Sequence, residues 1–333
     1  MNQPVPSTAE AAATPVLHVA HSPHIHTEGV TTRRMMFDVI LALAPVTGMA
    51  VFMFRWYAVK QMLICLAGCL AAEALFTVMR RRRPPLTDLS AGVTGLILGL
   101  SLPATAPWYV GLIASVTAIG VGKTIFGGLG MNLFNPAMVG RAFVMIAFAG
   151  LMAAGGFEDP ASSIDAMTRA TPLTAFKQSG VATPLVDLFL GFTNGCPGEI
   201  SAFACLLGGL YLCLRRTASW EIPAGVIIAA FLVGGLSDLL QFGWRMDGAG
   251  WTVLHHLGSG ALMFGAFFIA TDPVTSPLSP RGKLVFGVGV GLLVMVLRLF
   301  SGYPEGVMFA VLIMNALTPL INRVTRPKTM GES

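Results

Sequence analysis

Charged side chains are scarce in this sequence, and their scarcity excludes a soluble globular protein. Only 11% of the 333 residues are Asp, Glu, Lys or Arg, whereas a soluble domain has about 25%. Hydrophobic residues make up 54%, and the mean hydropathy is +0.73. We therefore predict an integral membrane protein. The net charge of +5 reflects basic residues beside apolar runs rather than nucleic-acid binding.

Several motifs of soluble redox and nucleotide-binding proteins are also absent. The sequence contains no Gly-x-Gly-x-x-Gly fingerprint, no CxxC pair and no ferredoxin-type cysteine run. Cys65 and Cys69 are one helical turn apart, a spacing that suits either one side of a metal site or helix packing. Packing is favoured, because cysteine behaves as a small apolar residue.

The N-terminal residues lack the apolar core of a signal peptide. Residues 1–34 are polar, and we predict that they form a cytoplasmic leader. The remaining chain divides into a first membrane half (35–154), a polar loop (155–197), a second membrane half (198–321) and a cytoplasmic tail (322–333).

Long apolar runs recur along both halves. A membrane-spanning helix needs about 20 apolar residues. Ten runs approach that length: 35–54, 57–79, 89–103, 106–126, 136–154, 198–214, 222–240, 253–271, 283–298 and 305–321. The third run is short, rich in glycine and ends at Pro103, a composition typical of close helix contacts and of sites in membrane proteins.

The basic residues orient these ten runs. If every run crosses the membrane, 14 of the 21 Lys and Arg residues lie on one side, including the run "RRRR" at 80–83. The richer side is cytoplasmic by the positive-inside rule. Both termini are then cytoplasmic, and the loop 155–197 is periplasmic.

Two sets of five spans form inverted repeats if the halves are related. "TGLILGLSLP", ending at Pro103, resembles "FGAFFIATDP", ending at Pro273. "NPAMV" at 135–139 likewise resembles "YPEGV" at 303–307. Chance similarity between glycine-rich spans is the alternative. Inverted repeats would put functional sites near the repeat interface.

The polar loop contains the segment "DAMTRATPLTAF" at 165–176 and the near-repeat "ATPL" at 182–185. Threonine followed by proline is typical of a helix start, with threonine as the cap, and this interpretation applies equally to Thr171 and Thr183. Only Thr171, however, has Asp165, Thr168 and Ala170 upstream. These residues fit the pattern Asp-x-x-(Ser/Thr)-x-Ala-(Thr/Ser), at which a flavin transferase joins FMN to a hydroxyl through a phosphoester. A phosphate there would be favoured by a helix N-terminus.

Several blocks together resemble one family. "DAMTRATPLTAFK" is similar to the flavinylation segment of RnfD-type subunits of Rnf ion-translocating electron-transport complexes. "SPHIHTEGVTTRRMM", "FGGLGMNLFNPAMVGRAFV", "LGSGALMFGAFFIATDPVTSP" and "GYPEGVMFAVLIMNALTPLI" resemble further blocks of the same family, in the same order. The related NqrB subunits usually have Ser-Gly-Ala-Thr at the acceptor. Thr168-Arg169-Ala170-Thr171 and the short leader therefore favour the RnfD type.

The resemblance also implies a second, non-covalent flavin, such as riboflavin. It assigns Asn132 and Asn135, within "GGLGMNLFNPA", to that flavin. A tight turn between helices is the alternative interpretation of this segment.

Acidic residues inside apolar runs or at their ends are candidates for ion coupling, because such residues are costly in a membrane. They are Glu73, Asp272 and Glu305, although Asp272 also suits the cap of a turn. Asp38 is a weaker candidate, and Arg141 is predicted to neutralise an acid or meet a flavin. The pair His255–His256 favours interfacial packing over a metal or haem site.

The predicted function is that of a bacterial inner-membrane subunit that carries covalent FMN within a ferredoxin:NAD-type complex and couples electron transfer to Na⁺ or H⁺ movement. The resemblance implies partner subunits for NADH binding, for iron–sulfur chemistry and for a second covalent flavin, further membrane subunits, and a flavin transferase for maturation. An NqrB-like quinone reductase subunit and a secondary transporter are the alternatives.

Overall fold

The computed structural model describes residues 31–81, 86–153, 156–157, 167–168, 171–180, 182–240, 251–301 and 305–326. Nearly all of the predicted leader, more than half of the tail, and Asp165 and Ala170 of the acceptor pattern lie outside these ranges.

Helices dominate the described residues. They are α1 (Thr32–Met79), α2 (Ser90–Ser101), α3 (Trp108–Ile119), α4 (Pro136–Ala147), α5 (Ala149–Ala153), α6 (Pro172–Ser179), α7 (Leu185–Leu190), α8 (Ala202–Leu214), α9 (Glu221–Leu240), α10 (Val253–Gly258), α11 (Leu262–Phe264), α12 (Pro280–Phe300) and α13 (Val307–Val324). Two π-helical segments, Gly120–Thr124 and Gly265–Ile269, continue α3 and α11. A 3₁₀ turn covers Leu86–Asp88.

Strands β1 (Gly156–Phe157) and β2 (Met167–Thr168) form a two-residue antiparallel pair, with Gly156 opposite Thr168. This pair lies within the predicted periplasmic loop, and the described residues of the membrane halves form helices, turns and irregular segments but no strand. The prediction of an α-helical membrane protein is confirmed at this level.

Among the described residues, four helices are long and apolar enough to cross a membrane: Thr32–Met79, Glu221–Leu239, Pro280–Phe300 and Val307–Val324. Shorter apolar helices of 10 to 17 residues occupy Ser90–Ser101, Pro136–Ala147 and Ala202–Leu214. Each of the ten predicted runs contains helix. The number of crossings stays a prediction.

Helix α1 is two helices joined at Arg55, which has non-helical φ and ψ of 50° and −128°. A positive φ is uncommon in a residue other than glycine. The break lies in the short gap between the first two predicted runs, so α1 contains both of them.

Glycine allows a close helix crossing between α1 and α2, as the sequence predicts. A Cβ added to Gly95 would lie 2.8 Å from the Cα of Leu66, and one added to Gly99 would lie 2.8 Å from the Cα of Met62. Small residues four positions apart let helix backbones approach in this way. Cys65 is completely buried at this crossing, and its thiol lies 3.9 Å from the carbonyl oxygen of Gly111.

The predicted run 253–271 is not one continuous helix. It breaks between α10 and α11, where Gly260 has a φ of +63°. The buried guanidinium of Arg298 donates hydrogen bonds to the carbonyl oxygens of His256 (2.5 Å) and Ser259 (2.9 Å). These bonds satisfy backbone acceptors that the break leaves without helical partners.

Candidate functional site

Helix α6 begins at Thr171, as the sequence predicts. The Thr171 Oγ1 accepts a hydrogen bond from the backbone N–H of Thr174 at 3.3 Å, and Pro172 occupies the first helical position. The Thr174 hydroxyl oxygen lies 3.0 Å from the same Oγ1. The Thr171 hydroxyl is half-buried at the positive end of an eight-residue helix.

Thr183 does not form the corresponding cap, so the prediction of equal cap chemistry is wrong. Helix α7 begins at Leu185, its N-cap is Pro184, and no side chain of the described residues caps it. Pro184 has a ψ of 137° and therefore stays outside the helix, which moves Thr183 one position too far upstream to cap. The two Thr-Pro pairs differ in local structure as well as in upstream sequence.

An aromatic stack fixes α6 to the rest of the protein. Phe176 and Trp251 are both buried, and their ring centroids are 4.3 Å apart with an interplanar angle of 21°. Trp251 stacks in turn on His255 at 5.0 Å. Leu173 is buried in the same cluster. The position of Thr171 is thus set by packing of the helix that it begins.

Lys177, at the other end of α6, donates a hydrogen bond from Nζ to the carbonyl oxygen of Ser301 at 3.2 Å. Partial burial lowers the pKa of Lys177 from its ordinary value, and the nearby Arg298 lowers this pKa further. This contact holds the C-terminal turn of α6 against the end of α12.

A small pocket lies beside Thr171 and encloses about 260 Å³ of empty space. We name it the Thr171 pocket. Its lining includes Glu199, Glu305, Asn194 and Gly260. The pocket therefore brings the predicted attachment residue close to a predicted ion-coupling residue, Glu305, and to the helix break at Gly260.

Buried ion pairs lie behind this pocket. The Arg141 guanidinium is 3.0 Å from a Glu199 carboxylate oxygen and 3.5 Å from a Glu305 carboxylate oxygen. Arg141 thus neutralises an acidic residue, as the sequence predicts. Sequence reasoning missed Glu199, which is 6% exposed. The available signal was its isolation, because Glu199 is the only acidic residue between Asp187 and Glu221.

A second and larger pocket lies at the start of α4 and encloses about 790 Å³ of empty space. We name it the Asn132 pocket. Asn132, Asn135 and Asp272, three residues singled out from the sequence, all line it. The Asn132 Oδ1 is buried and has no hydrogen-bond partner among the described residues.

Asn135 is held by several hydrogen bonds. Its Oδ1 accepts from the backbone N–H of Met138 at 3.3 Å and so caps α4, and its Nδ2 donates to the carbonyl oxygen of Ile269 at 3.3 Å. Its backbone N–H donates to the Asn315 Oδ1 at 3.4 Å. Asn135 therefore shapes the pocket, whereas Asn132 presents an unsatisfied acceptor to it.

Lys123 also lines the Asn132 pocket and is 3% exposed. Its ammonium forms a short ion pair with Glu73 and donates to the Ser90 Oγ at 2.6 Å. The Ser90 hydroxyl donates in turn to an Asp88 carboxylate oxygen at 2.7 Å. The predicted ion-coupling residue Glu73 thus belongs to a buried chain of polar groups at the pocket wall.

Asp272 caps a turn, as one interpretation of the sequence predicts, while its role in ion coupling stays a prediction. One of its carboxylate oxygens accepts from the backbone N–H of Val274 at 3.1 Å, and the other accepts from the Thr275 hydroxyl at 3.3 Å. It therefore caps a turn while lining the pocket. Asp38 instead pairs with Arg215 at 3.5 Å and accepts from Thr217 at 3.1 Å, contacts typical of a structural role.

Three residues of the predicted acceptor pattern lie apart from these contacts. Thr168 lies in β2, while Asp165 and Ala170 lie outside the described residues. His255 and His256 are buried, and His255 contacts Thr252 and Trp251. Among the described residues no group of three His, Cys, Asp or Glu side chains could hold a metal ion.

Comparison with known proteins gives a match along almost the whole chain. The model of the NQR2, RnfD, RnfE family matches residues 18–331. The D subunit of the Na⁺-translocating ferredoxin:NAD⁺ oxidoreductase complex of Acetobacterium woodii is 38% identical over 95% of each chain. The D subunit of the proton-translocating complex of Clostridium ljungdahlii is 36% identical over 95% of this chain and 96% of its own. The D subunit of the ion-translocating oxidoreductase complex of Stutzerimonas stutzeri is 39% identical over 90% of this chain and 92% of its own.

Proposed function

Because the chain belongs to the NQR2, RnfD, RnfE family, we propose that it is the D subunit of a bacterial ion-translocating ferredoxin:NAD⁺ oxidoreductase complex. Similarity to D subunits along at least 90% of the chain carries this proposal. Relatives named for Na⁺ and for protons are 38% and 36% identical, so overall similarity favours neither ion.

The proposed subunit crosses the inner membrane ten times, as two inverted sets of five spans with both termini in the cytoplasm. The loop 155–197 then faces the periplasm. This arrangement is supported by 14 of 21 basic residues on one side and by helix in every predicted run. The break between α10 and α11 is also typical of membrane proteins whose sites lie at interrupted helices.

FMN is proposed to be joined through a phosphoester to Thr171. The residues present suit this group. The Thr171 hydroxyl is half-buried at a helix N-terminus, where backbone N–H groups and the helix dipole favour an anionic phosphate. The threonine oxygen can keep accepting from the Thr174 N–H after its own proton is replaced. When bound, FMN supplies the electron-carrying chemistry, while the protein sets its position and environment.

A second flavin, such as riboflavin, is proposed to bind without a covalent link in the Asn132 pocket. Apolar side chains make up most of the pocket lining, with a few polar groups among them, which is the usual composition of a ligand pocket. The unsatisfied Asn132 Oδ1 can accept from a ring N–H, and Asn135 holds the pocket wall in place. Glu73, Asp272 and Glu305 remain the candidates for ion coupling. Asp272 lines the Asn132 pocket, Glu305 lines the Thr171 pocket, and Glu73 pairs with Lys123 at the wall of the Asn132 pocket.

Other chains of the complex are proposed to supply the chemistry whose motifs this sequence lacks. They are an iron–sulfur subunit, an NADH-binding subunit, a second flavinylated subunit and further membrane subunits. A flavin transferase would load Thr171 as the protein matures. The role left to this chain is to hold two flavins at fixed positions beside buried ion pairs.

Flavin fluorescence in a denaturing gel tests the attachment. The complex is produced together with a flavin transferase, and the gel band of this chain is examined under ultraviolet light. We expect fluorescence in the unchanged chain and in Thr183→Ala, but none in Thr171→Ala. A dark band in the unchanged chain, or fluorescence that survives Thr171→Ala, would refute attachment at Thr171. Electron exchange with quinone but not with ferredoxin would assign the complex to the quinone-reductase type instead.

A further inference from the structure

We propose that Lys123 is a positioning residue that makes the Asn132 pocket bind the reduced, negatively charged form of its flavin more tightly than the oxidised form, and that Glu73 limits this preference. The inference rests on the second flavin proposed above. The charge of the pocket wall would shift the midpoint potential of this flavin, whether or not it also affects how much flavin is bound.

The backbone around Lys123 explains its position at the pocket. Lys123 lies in the π-helical segment Gly120–Thr124, an irregularity that is frequent at functional sites. The preceding Gly122 packs so closely that an added Cβ would lie 2.8 Å from the Cα of Pro136. Lys123 is therefore held directly against the start of α4, where Asn135 caps the helix and lines the same pocket.

The ammonium of Lys123 is only partly committed to its protein partners. An ammonium has three N–H donors, and the ion pair with Glu73 and the hydrogen bond to Ser90 use two of them. The Ser90 hydroxyl donates to Asp88, so its oxygen is oriented to accept from Lys123. Lys123 itself lines the pocket beside Ser90, so its two protein partners do not separate it from the pocket.

Two residues that line the pocket thus carry complementary polar groups, an ammonium donor on Lys123 and an amide acceptor on Asn132. This combination suits a ring that carries both carbonyl oxygens and an N–H group, as isoalloxazine does. Two-electron reduction of the oxidised ring with uptake of one proton leaves one negative charge on it. The electrons come from a donor cofactor elsewhere in the complex, and the proton comes from solvent. A buried cation stabilises the charged product and not the neutral reactant, because charges interact strongly where water is excluded.

Glu73 acts in the opposite direction. It is 4% exposed and places a carboxylate next to the Lys123 ammonium, and its second oxygen has no partner among the described residues. Removing its charge would leave the cation less compensated and would strengthen the preference for the reduced ring. Removing the charge of Lys123 would weaken that preference. Damage to packing alone would not produce shifts of opposite sign.

The test uses the assembled complex with Lys123→Gln, Lys123→Arg and Glu73→Gln. Acid precipitation releases non-covalent flavin, which is counted per complex, and its midpoint potential is measured by spectroelectrochemical titration. We expect Lys123→Gln to weaken the preference for the reduced ring about tenfold, which lowers the potential of a two-electron couple by about 30 mV. Glu73→Gln should raise the potential, and Lys123→Arg should stay near the unchanged complex.

Each other outcome has a distinct meaning. If the unchanged complex releases no flavin, the second flavin itself is wrong. If flavin is present but Lys123→Gln and Glu73→Gln shift its potential in the same direction or not at all, the role of Lys123 is refuted. If Lys123→Gln loses flavin, retention in Lys123→Arg together with a raised potential in Glu73→Gln supports the proposal, and loss from all three variants overturns it.

Discussion

The Thr171 pocket and the Asn132 pocket share a plan and differ in their polar atoms. Each lies where a capping residue is followed by proline, at Thr171–Pro172 and at Asn135–Pro136, and each is backed by a buried ion pair. The Thr171 pocket is small and has a half-buried hydroxyl beside it. The Asn132 pocket is about three times larger, 790 against 260 Å³, and offers an unsatisfied amide oxygen. The two proposed flavins would then be held in different ways, one by a covalent bond at the small pocket and one without a covalent bond in the larger pocket.

The largest effect is expected from changing one residue at each pocket and measuring which of the two flavins is lost. Thr171→Ala should abolish covalent flavin in the gel band and leave acid-released flavin unchanged. Asn132→Ala should leave the covalent flavin unchanged and weaken retention of the released flavin by roughly fivefold, since a hydrogen bond contributes about 1 kcal/mol. Both flavins are quantified in the same preparations. Loss of both from either variant would mean that the pockets are not separate sites.

Removing the cation behind the Thr171 pocket should have the next largest effect. Arg141→Met leaves the buried Glu199 and the partly buried Glu305 without their partner, and breaking a buried pair typically costs about 3–5 kcal/mol. We expect a much lower melting temperature of the detergent-solubilised complex. Adding Glu199→Gln and Glu305→Gln should recover part of the loss. An unchanged melting temperature in Arg141→Met would contradict the role assigned to this ion pair.

A smaller effect is expected from the aromatic stack that fixes α6. Phe176→Leu keeps an apolar side chain but removes the ring contact with Trp251, which is worth about 1 kcal/mol beyond burial. Limited proteolysis should cut near α6 several times faster than in the unchanged chain. Phe189→Leu is the matched control, because Phe189 is exposed and its ring contacts Phe203 instead. Equal cutting rates in both variants would contradict the role of this stack in positioning Thr171.

The smallest expected effect is the pH dependence of the same helix. The pKa of Lys177 is lowered in the folded protein, mainly by burial, so the unfolded segment binds the proton more tightly. At a pH below the folded-state pKa, Lys177 is protonated in the folded and the unfolded segment, and burying its charge destabilises the folded segment. This destabilisation decreases as the pH rises from the folded-state pKa toward the ordinary pKa of lysine. Proteolysis near α6 should therefore slow at alkaline pH relative to Lys177→Met. The same pH dependence in Lys177→Met would assign it to another group.

The sequence predicted features that depend on neighbouring residues better than features that depend on contacts between distant parts of the chain. The Thr171 cap follows from two adjacent residues, and the close contacts of Gly95 and Gly99 follow from glycine spacing in one helix. The rule that a Thr-Pro pair starts a helix failed at Thr183, because it does not specify whether proline occupies the cap or the first helical position. Glu199 was missed, because its importance comes from Arg141, 58 residues away in sequence. The meeting of Asn132 with Asp272 in one pocket likewise depends on tertiary packing.

Helix α4 carries a residue of each region, with Asn135 at its cap and Arg141 six positions later. At 1.5 Å per residue these positions are about 9 Å apart along the helix axis. The spacing between the Asn135 cap and the Arg141 guanidinium's helix position is therefore set by the rise of a single helix. Inserting or deleting one residue between Val139 and Gly140 would change this spacing and turn Arg141 by about 100° away from its carboxylates. A change in the length of α4 between Asn135 and Arg141 would therefore change how these two residues are placed relative to each other.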